Sequence, residues 1–352
     1  MPRISKATEY NWKKLNSDSK EKLTKRANKT QSKKRIIATN YLDDSKANTL
    51  LKNVLQVDSS VENIMYTLAC SALSKKELLQ KQHVQLFLQK YSHLEQVSID
   101  IPEDTWDSEN DVLGFVYQSL ITEGERNITG QYYTCKSVVE YIVGDKVLSD
   151  DETFLDPCCG SGAFLMAVRT NNPGNLYGFD INPIAVMIAS VNLLIRHKDK
   201  EFCPHIYCLD FLSKDLFTSD CRNELPFKFD NIYTNPPWGS DKDGLYTKNY
   251  PLIMSKERAS MVIYESLARL TNAGTLYFLL PTSLLKIKAH NDIRKLILTD
   301  TTIQQIDLYN NRFDGVFTDY FSIKINPAKT TTQTYVVTSD NGNANITLSA
   351  AD

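Results

Sequence analysis

The sequence predicts an α/β fold with a doubly wound, mostly parallel sheet of seven strands, preceded by a helical domain. Three observations carry this prediction. In the C-terminal part of the chain, short apolar runs alternate with segments of helical periodicity, as parallel strands and crossover helices do. Residues 47–95 repeat large apolar side chains at three- and four-residue steps, which indicates packed helices. Four of the apolar runs end at polar residues, namely Asp156, Asp180, Asp210 and Asn235.

The predicted strands and crossover helices follow one another along the chain. Pro183 stands in the first turn of one of these helices, a position that its fixed φ favours. Ligands of such sheets bind outside the carboxyl ends of the strands, where the four polar residues lie. Residues 334–337 are a candidate for one further strand. The predicted strands are residues 154–155, 176–180, 206–210, 232–234, 274–280, 303–309 and 319–325, and the predicted helices include 111–121, 163–168, 183–194 and 260–270.

The chain divides into four predicted segments. A basic N-terminal arm covers residues 1–45, a helical domain 46–128, the sheet-bearing domain 129–328 and a C-terminal extension 329–352. The first 40 residues hold 12 Lys/Arg against 3 Asp/Glu, a balance of +9, so the remainder of a chain of net charge −2 carries −11. A basic arm on an acidic body indicates that the arm, or a partner of the body, meets nucleic-acid phosphates. A solvated tail is the alternative.

Within the arm, residues 4–15 place apolar and aromatic side chains at helical spacing, with Ser5 as a cap. The predicted helix resembles the recognition helix of small helix-turn-helix proteins. An ordinary surface or partner-docking helix is the alternative.

Composition excludes several classes of protein. With 352 residues, 42% of them hydrophobic, the chain can bury a full globular core. The sequence contains no run of 18 apolar residues, so we expect no membrane span. The N-terminus lacks an apolar signal core. The seven cysteines show no paired spacing, which favours a reduced, cytosolic (cytoplasmic) protein. One spacing suited to zinc runs through a predicted buried strand, so we expect no metal site at Cys203, His205, Cys208 and Cys221.

The central motif is Phe229-Asp-Asn-Ile-Tyr-Thr-Asn-Pro-Pro-Trp238, a short buried strand that ends in an Asn-Pro-Pro-Trp corner. Two successive prolines fix two φ angles and remove two N–H donors, so the corner is stiff and its carbonyls lack ladder partners. Asn235 adds a side-chain acceptor beside the carbonyl of Pro236, and Trp238 adds a flat apolar face. Together they form a socket for a planar group that carries an NH2, such as a nucleobase. The alternative is a surface turn with Trp238 as a core plug.

The acidic residues at the strand ends predict a second ligand. Asp180 lies 20 residues after Gly160, where an acid commonly binds ribose hydroxyls. Asp210 is placed to accept from an adenine amine, and Asp156 to meet an ammonium group. Gly160 and Gly162 leave room for a ligand at a helix start, although their spacing is not that of a dinucleotide fingerprint. Ribose, adenine and an amino acid together describe S-adenosylmethionine. Taken singly, each acid has a capping role as its alternative.

In their order, these motifs resemble the gamma class of N6-adenine DNA methyltransferases of restriction–modification systems, including type I modification subunits and type IIG-like methylases. The resemblance covers about residues 110–325 and implies a class I S-adenosylmethionine-dependent methyltransferase fold, that molecule as donor, and a flipped adenine as target. Three stretches carry it: Asp111-Val-Leu-Gly through Gly130-Gln-Tyr-Tyr-Thr134 as the entry motif, Asp156-Pro-Cys-Cys-Gly-Ser-Gly162 as the cofactor loop, and Asn235-Pro-Pro-Trp238 as the catalytic corner.

The predicted mechanism is direct in-line methyl transfer to an adenine that stacks on Trp238. Base stacking is worth ~1–3 kcal/mol, which offsets a similar cost of flipping. Phe313 resembles the second stacking residue of the family, with Phe317 as the alternative. The predicted catalytic residues are Asn235, Pro236, Pro237 and Trp238, and the predicted cofactor-binding residues are Gln131, Tyr132, Thr134, Asp156, Cys158, Gly160, Gly162, Asp180, Ile181, Asp210, Phe211 and Asn235.

Two positions depart from the family pattern. Cys135 stands where the family usually has proline, which affects loop stiffness. Trp238 replaces the more usual tyrosine or phenylalanine and also occurs in enzymes that act on cytosine N4, so cytosine is the alternative base. Methylation of RNA guanine or of a protein glutamine is a further alternative, disfavoured by the stretch 130–134. An inactive scaffold on DNA is disfavoured by the intact corner and glycine loop.

The expected partners are double-stranded DNA and another subunit, and no membrane. Single-chain members of the family place a target-recognition domain after the last strand, and the 27 residues after the seventh predicted strand are too few for one. Either the arm reads sequence, or another subunit does, or the natural chain is longer. The acidic body would repel DNA unaided, which favours a modification subunit with a specificity or target-recognition subunit, and allows for a restriction subunit. Candidate DNA-backbone contacts, with a solvated loop as the alternative, are Lys242, Lys248, Lys256 and Arg258.

Overall fold

A computed structural model gives the fold of most of the chain. Outside the described residues lie the helix expected in the arm and the site residues Gln131, Tyr132 and Phe313, with Phe317. The described residues are 33–35, 37–38, 42–122, 125, 134–144, 146–213, 225–309, 319–328, 332–339 and 342–349.

Helices dominate the N-terminal half, as predicted. Asp44 caps α1 (Ser45–Val54) by accepting two backbone N–H groups of its first turn, and Ser60 caps α2 (Val61–Lys75) by accepting one. Among the described residues, no helix is long and apolar enough to cross a bilayer. The described α-helices are α1 (Ser45–Val54), α2 (Val61–Lys75), α3 (Gln82–Gln89), α4 (Val112–Leu120), α5 (Lys136–Val143), α6 (Ala163–Ala167), α7 (Pro183–Arg196), α8 (Arg258–Ala268), α9 (Ser283–Lys286) and α10 (Asn291–Asp300).

The N-terminal helices share one hydrophobic core with α7, which lies on the sheet. Helices α2 and α4 both contact α7 directly. Residues 98–111, whose Pro102 and many acidic or small polar residues predict a linker, also belong to this layer. Among them, Trp106 is buried within a 3-10 turn, Thr105–Asp107, and donates its indole N–H to Ser71 Oγ at 3.0 Å. The helical region therefore packs onto the sheet domain as one layer.

A nine-stranded sheet contains all seven predicted strands and two more. Its order is β11-β10-β8-β9-β7-β6-β2-β4-β5. A separate parallel pair joins the short strands β1 and β3. The strands are β1 (Val147–Leu148), β2 (Phe154–Asp156), β3 (Arg169–Thr170), β4 (Leu176–Asp180), β5 (His205–Cys208), β6 (Phe229–Thr234), β7 (Leu270–Pro281), β8 (Thr302–Tyr309), β9 (Tyr320–Asn326), β10 (Thr332–Ser339) and β11 (Gly342–Ser349).

Five neighbouring strands, β7, β6, β2, β4 and β5, pair in parallel. Strand β2 lies at the switch point, because the chain continues to β4 on one side and returns later to β6 on the other. A crevice at the carboxyl ends of the strands is expected at such a point. The residues that follow β6, β2, β4 and β5 therefore meet at one edge of the sheet.

The part of the sheet beyond β7 contains both antiparallel and parallel strand pairs. Strand β9 lies antiparallel between β7 and β8, and β10 returns parallel to β8. Strand β11 closes a hairpin with β10, so the candidate strand at 334–337 is part of a longer β10. Both strands of the predicted C-terminal extension thus join the sheet of the preceding segment.

Candidate active site

A cleft opens at the carboxyl ends of β6, β2, β4 and β5. Ten of its lining residues were predicted from sequence: Cys158, Gly160, Asp180, Ile181, Asp210, Phe211, Asn235, Pro236, Pro237 and Trp238. Six were not predicted to line a catalytic or cofactor site: Pro157, Leu209, Leu212, Tyr246, Arg258 and Val262.

The glycine loop between β2 and α6 is held by Asp180 at the end of β4. Asp180 Oδ2 accepts the N–H of Gly160 at 2.9 Å, and Oδ1 accepts the N–H of Asn182 at 2.9 Å. Gly160 and Gly162 have φ of 53° and 89°, conformations in which a side chain would be strained. A Cβ at Gly162 would also lie 3.2 Å from Cβ of Ala189 on α7. Gly162 thus serves the packing of the loop and does not line the cleft.

Asp156 is buried beneath the cleft at the end of β2. Its Oδ1 accepts the Thr234 hydroxyl at 2.6 Å and the N–H of Cys158 at 3.1 Å. Burial raises the pKa of the Asp156 carboxyl to about 7, although both hydrogen bonds act in the opposite direction. Burial likewise raises the pKa of Asp180. Without a ligand, the cleft therefore favours binding of a positively charged group near these two carboxyls.

Asp210 follows β5 and faces the cleft. Its Oδ1 accepts the N–H of Leu212 at 2.9 Å, and its Oδ2 accepts the hydroxyl of Tyr246 at 2.6 Å. The carboxylate is thus oriented from one side by its own turn and from the other by a distant loop.

The Asn-Pro-Pro-Trp corner begins one residue after β6 ends. Thr234, the last residue of β6, is tied to Asp156 on the neighbouring strand. The Asn235 side chain donates its Nδ2–H to Thr134 Oγ1 at 3.1 Å. Pro236 is buried, while Asn235 and Trp238 are half-buried and line the cleft. The corner is therefore held by β2, through Asp156, and by the segment before α5, through Thr134.

Trp238 rests on an aromatic stack behind the corner. Its ring centroid lies 6.3 Å from that of Tyr320 on β9, and Tyr320 stacks on Tyr309 of β8 at 5.0 Å. Tyr309 and Ser322 share a hydrogen bond at 3.0 Å, and Ser322 donates to buried Asp307 at 3.0 Å. The antiparallel half of the sheet thus supports the ring of Trp238, on which a planar ligand would stack.

The entry motif at Asp111 docks on the back of the glycine loop. Asp111 caps α4 by accepting the N–H of Gly114 at 2.7 Å, and it also accepts Nδ2–H of Asn192 at 2.8 Å. Asn192, on α7, donates as well to the carbonyl of Ser161 at 3.0 Å. A Cβ at Gly114 would lie 2.8 Å from Ser161 Oγ, so glycine permits this close approach.

Three remaining predictions have a structural outcome. Thr134 contacts Asn235 and does not line the cleft. Arg258, predicted as a DNA-backbone contact, is half-buried at the start of α8 and lines the cleft, whereas Lys242, Lys248 and Lys256 are exposed. In the zinc-like cluster, Cys221 is outside the described residues and His205 shares a hydrogen bond with Tyr207 at 2.9 Å.

Comparison with known proteins gives a consistent assignment. The family model described as N-6 DNA Methylase matches residues 108–333. The chain is 31% identical over 221 residues to Type II methyltransferase M.VspI of Vibrio sp. (strain 343), covering 58% of this chain and 50% of that protein. It is 24% identical over 235 residues to the Type I restriction enzyme EcoEI methylase subunit of Escherichia coli, covering 62% and 46%. The chain thus spans about half the length of these curated relatives.

The fold has solved counterparts. One is a protein of Listeria monocytogenes assigned to the class I S-adenosylmethionine-dependent methyltransferases, with a TM-score of 0.52 and 17% identity. The match covers 84% of this chain and 90% of that one. At this identity the likeness concerns the fold alone.

Proposed function

The chain belongs to the N-6 DNA methylase family and has the fold of class I S-adenosylmethionine-dependent methyltransferases, and from this premise we propose that it methylates N6 of an adenine flipped out of duplex DNA. One observation carries the proposal. The Asn-Pro-Pro-Trp corner and the strand-end acids Asp180 and Asp210 line the same cleft, with Asp156 directly beneath it. The methyl donor and the target amine would thus meet in one place.

The chemistry of the cleft fits S-adenosylmethionine, which supplies an electrophilic methyl group when bound. Asp180 would hold the ribose hydroxyls, Asp210 the purine amine and Asp156 the ammonium group. A carboxylate offers about four acceptor positions, and two are already filled at Asp180 and at Asp210, so each retains capacity for a ligand. The raised pKa of Asp156 also favours a cationic ligand.

The corner supplies the other half of the reaction. The side-chain carbonyl of Asn235 and the main-chain carbonyl of Pro236 would accept the two hydrogens of the target amine, and Trp238 would stack on the base. Because these acceptors would hold the hydrogens, the nitrogen lone pair would be freed from the ring and directed at the methyl group, and the N–C bond would form as the S–C bond to the departing thioether breaks. Neither acceptor is a strong base, and the proton leaves to solvent once the nitrogen has become cationic.

The test of this function is the modification of DNA in cells that express the chain together with the products of its neighbouring genes. Sequencing that detects modified bases should find N6-methyladenine at one recurring motif, and the Asn235→Ala strain should lack it. N4-methylcytosine in place of methyladenine would assign the alternative base, in line with Trp238. Unmodified DNA in the presence of a folded, co-expressed chain would contradict the proposal.

We further infer that the chain acts as a modification component that requires a separate specificity or target-recognition subunit; a restriction subunit is a further candidate partner. The net charge of −11 outside the first 40 residues supports this inference, because such a surface repels phosphates unless a partner supplies the contacts. The exposed lysines Lys242, Lys248 and Lys256 would then approach the DNA backbone within that complex. Site-specific methylation by the purified chain alone would contradict a need for the partner.

Cofactor affinity should rise with pH below neutrality. In the free protein Asp156 is mostly protonated at pH 6, because burial raises its pKa to about 7. A nearby ammonium group favours the ionised carboxylate, so binding below pH 7 releases a proton. Calorimetric titration with S-adenosylhomocysteine should show affinity rising roughly tenfold between about pH 5.5 and pH 7. Buffers of different ionisation enthalpy should reveal the released proton.

The variant Asp156→Asn is the control for this pH dependence. It keeps a polar side chain beneath the cleft but cannot ionise, so its weaker binding should be independent of pH over the same range. A pH-independent affinity in the native protein would show that Asp156 does not meet the ammonium group.

A further inference from the structure

The chain between the corner and α8, residues 239–257, forms a closed loop, here called the clamp loop. An antiparallel bridge between Ser240 and Glu257 closes its neck, and the N–H of Asp241 donates to the carbonyl of Lys256 at 2.7 Å. At the end of the loop, the N–H of Arg258 donates to the carbonyl of Gly239 at 3.0 Å. The two ends of the loop are thus held together directly beside the corner.

Inside the clamp loop, the Asp241 carboxylate organises one tight turn. It accepts the N–H groups of Leu245, Tyr246 and Thr247 at 3.0, 2.9 and 2.8 Å, and the Thr247 hydroxyl at 2.7 Å. Four hydrogen bonds to one ionised group are individually strong and jointly restrict the turn. The backbone that carries Tyr246 is therefore held in place before any ligand arrives.

Two tyrosines attach this turn to the segment after β5. The Tyr246 hydroxyl donates to Asp210 Oδ2 at 2.6 Å, and the Tyr250 hydroxyl lies within hydrogen-bond distance of the carbonyl of Leu212 at 3.2 Å and of Glu265 Oε2 at 3.3 Å. Tyr246 lines the cleft and Tyr250 is buried. The two contacts differ in kind, because only Tyr246 touches the side chain that faces the ligand.

We propose that Tyr246 is a positioning residue that orients the Asp210 carboxylate toward the purine amine of the methyl donor, and thereby sets how well this site distinguishes adenine from other purines. This inference rests on the proposed function, because it requires that the cleft bind an adenosyl group. Asp210 Oδ1 is held by Leu212 and Oδ2 by Tyr246, so rotation of the carboxylate would break one bond or the other. The remaining lone pairs keep a fixed direction, which a specific hydrogen bond to an amine requires.

The test compares two ligands that differ at the purine 6 position and at the adjacent N1: S-adenosylhomocysteine carries the amine and an unprotonated N1, and S-inosylhomocysteine carries an oxo group and an N1–H. We expect Tyr246→Phe to weaken the first about tenfold, the effect of one charge-assisted hydrogen bond, and the second by less than about threefold. The ratio of the two dissociation constants should therefore fall. Calorimetric titration gives both constants without any need for methyl transfer.

Tyr250→Phe is the matched control, because it removes a hydroxyl of the same loop that contacts the main-chain carbonyl of Leu212 and the carboxylate of Glu265, which does not line the cleft as Asp210 does. General loosening of the clamp loop would weaken both ligands alike, so the ratio in this variant should equal that of the native protein. Thermal unfolding scans would confirm that both variants fold.

The outcomes separate the inference from the function on which it rests. Native protein that binds S-adenosylhomocysteine, with an unchanged ratio in Tyr246→Phe, would overturn the role of Tyr246 alone. Tighter binding of S-adenosylhomocysteine by Tyr246→Phe would also overturn it, since the hydroxyl would then compete with the amine. Native protein that binds neither ligand would overturn the proposed function, and this inference with it.

Discussion

Asn235→Ala should lower methyl transfer to DNA by at least about a hundredfold while leaving the affinity for S-adenosylhomocysteine within about twofold. The alanine keeps the two prolines and the shape of the corner, but it removes the side-chain carbonyl that would accept a hydrogen of the target amine. The lone pair of that amine would remain delocalised in the ring. Since the contact matters only when the nitrogen attacks, the loss should fall on kcat more than on cofactor binding.

The Asn235 experiment measures incorporation of a radioactive methyl group into unmethylated genomic DNA by the chain purified with its co-expressed partners. Asn249→Ala, in the half-exposed part of the clamp loop, is the matched control and should retain native rates. Asn235→Asp is informative as well, because it keeps two acceptors but loses the Nδ2–H bond to Thr134. Retained activity in Asn235→Ala would remove this residue from the mechanism.

Sequence patterns located most of the cleft because its geometry follows from local rules. A buried apolar run predicts a strand, and parallel strands expose their carboxyl ends at one edge. Asp156, Asp180, Asp210 and Asn235 could therefore be grouped before any tertiary contact was known. The observed order β6-β2-β4-β5 brings all four together on neighbouring strands.

The features that sequence missed depend on contacts between distant segments. Tyr246 lies in a loop without periodicity, and only the fold of that loop brings its hydroxyl to a carboxylate 36 residues away. The support behind Trp238 comes from Tyr320 and Tyr309, on strands whose antiparallel placement no local pattern specifies. Sequence alone predicts Arg258 to be a surface cation, because its charge does not reveal that it lies at the start of α8 and lines the cleft.

Asp180→Ala is the second variant with a large expected effect, a loss of cofactor affinity. The Asp180 carboxylate accepts two backbone N–H groups, one from the glycine loop at Gly160 and one from the start of α7 at Asn182. Asp180→Ala would release the loop from β4 and would also remove the group expected to bind the ribose. The two charge-assisted hydrogen bonds expected from the ribose hydroxyls, at ~1.5–3 kcal/mol each, would be lost, which corresponds to at least about a hundredfold weaker cofactor binding.

The stability of Asp180→Ala should change much less than its cofactor affinity. Burial raises the pKa of Asp180, so in the free protein the ionised carboxylate is not fully compensated for the water it has lost. Its removal relieves that desolvation cost and offsets part of the two lost hydrogen bonds. We therefore expect a small shift of the unfolding midpoint beside a large rise in the dissociation constant for S-adenosylhomocysteine, measured by calorimetry.

Asp151→Ala, at an exposed acid close to β2, is the control for Asp180→Ala and should change neither quantity. Affinity that is unchanged in Asp180→Ala would show that the ribose is bound elsewhere, whereas a collapse of stability would assign Asp180 a purely structural role.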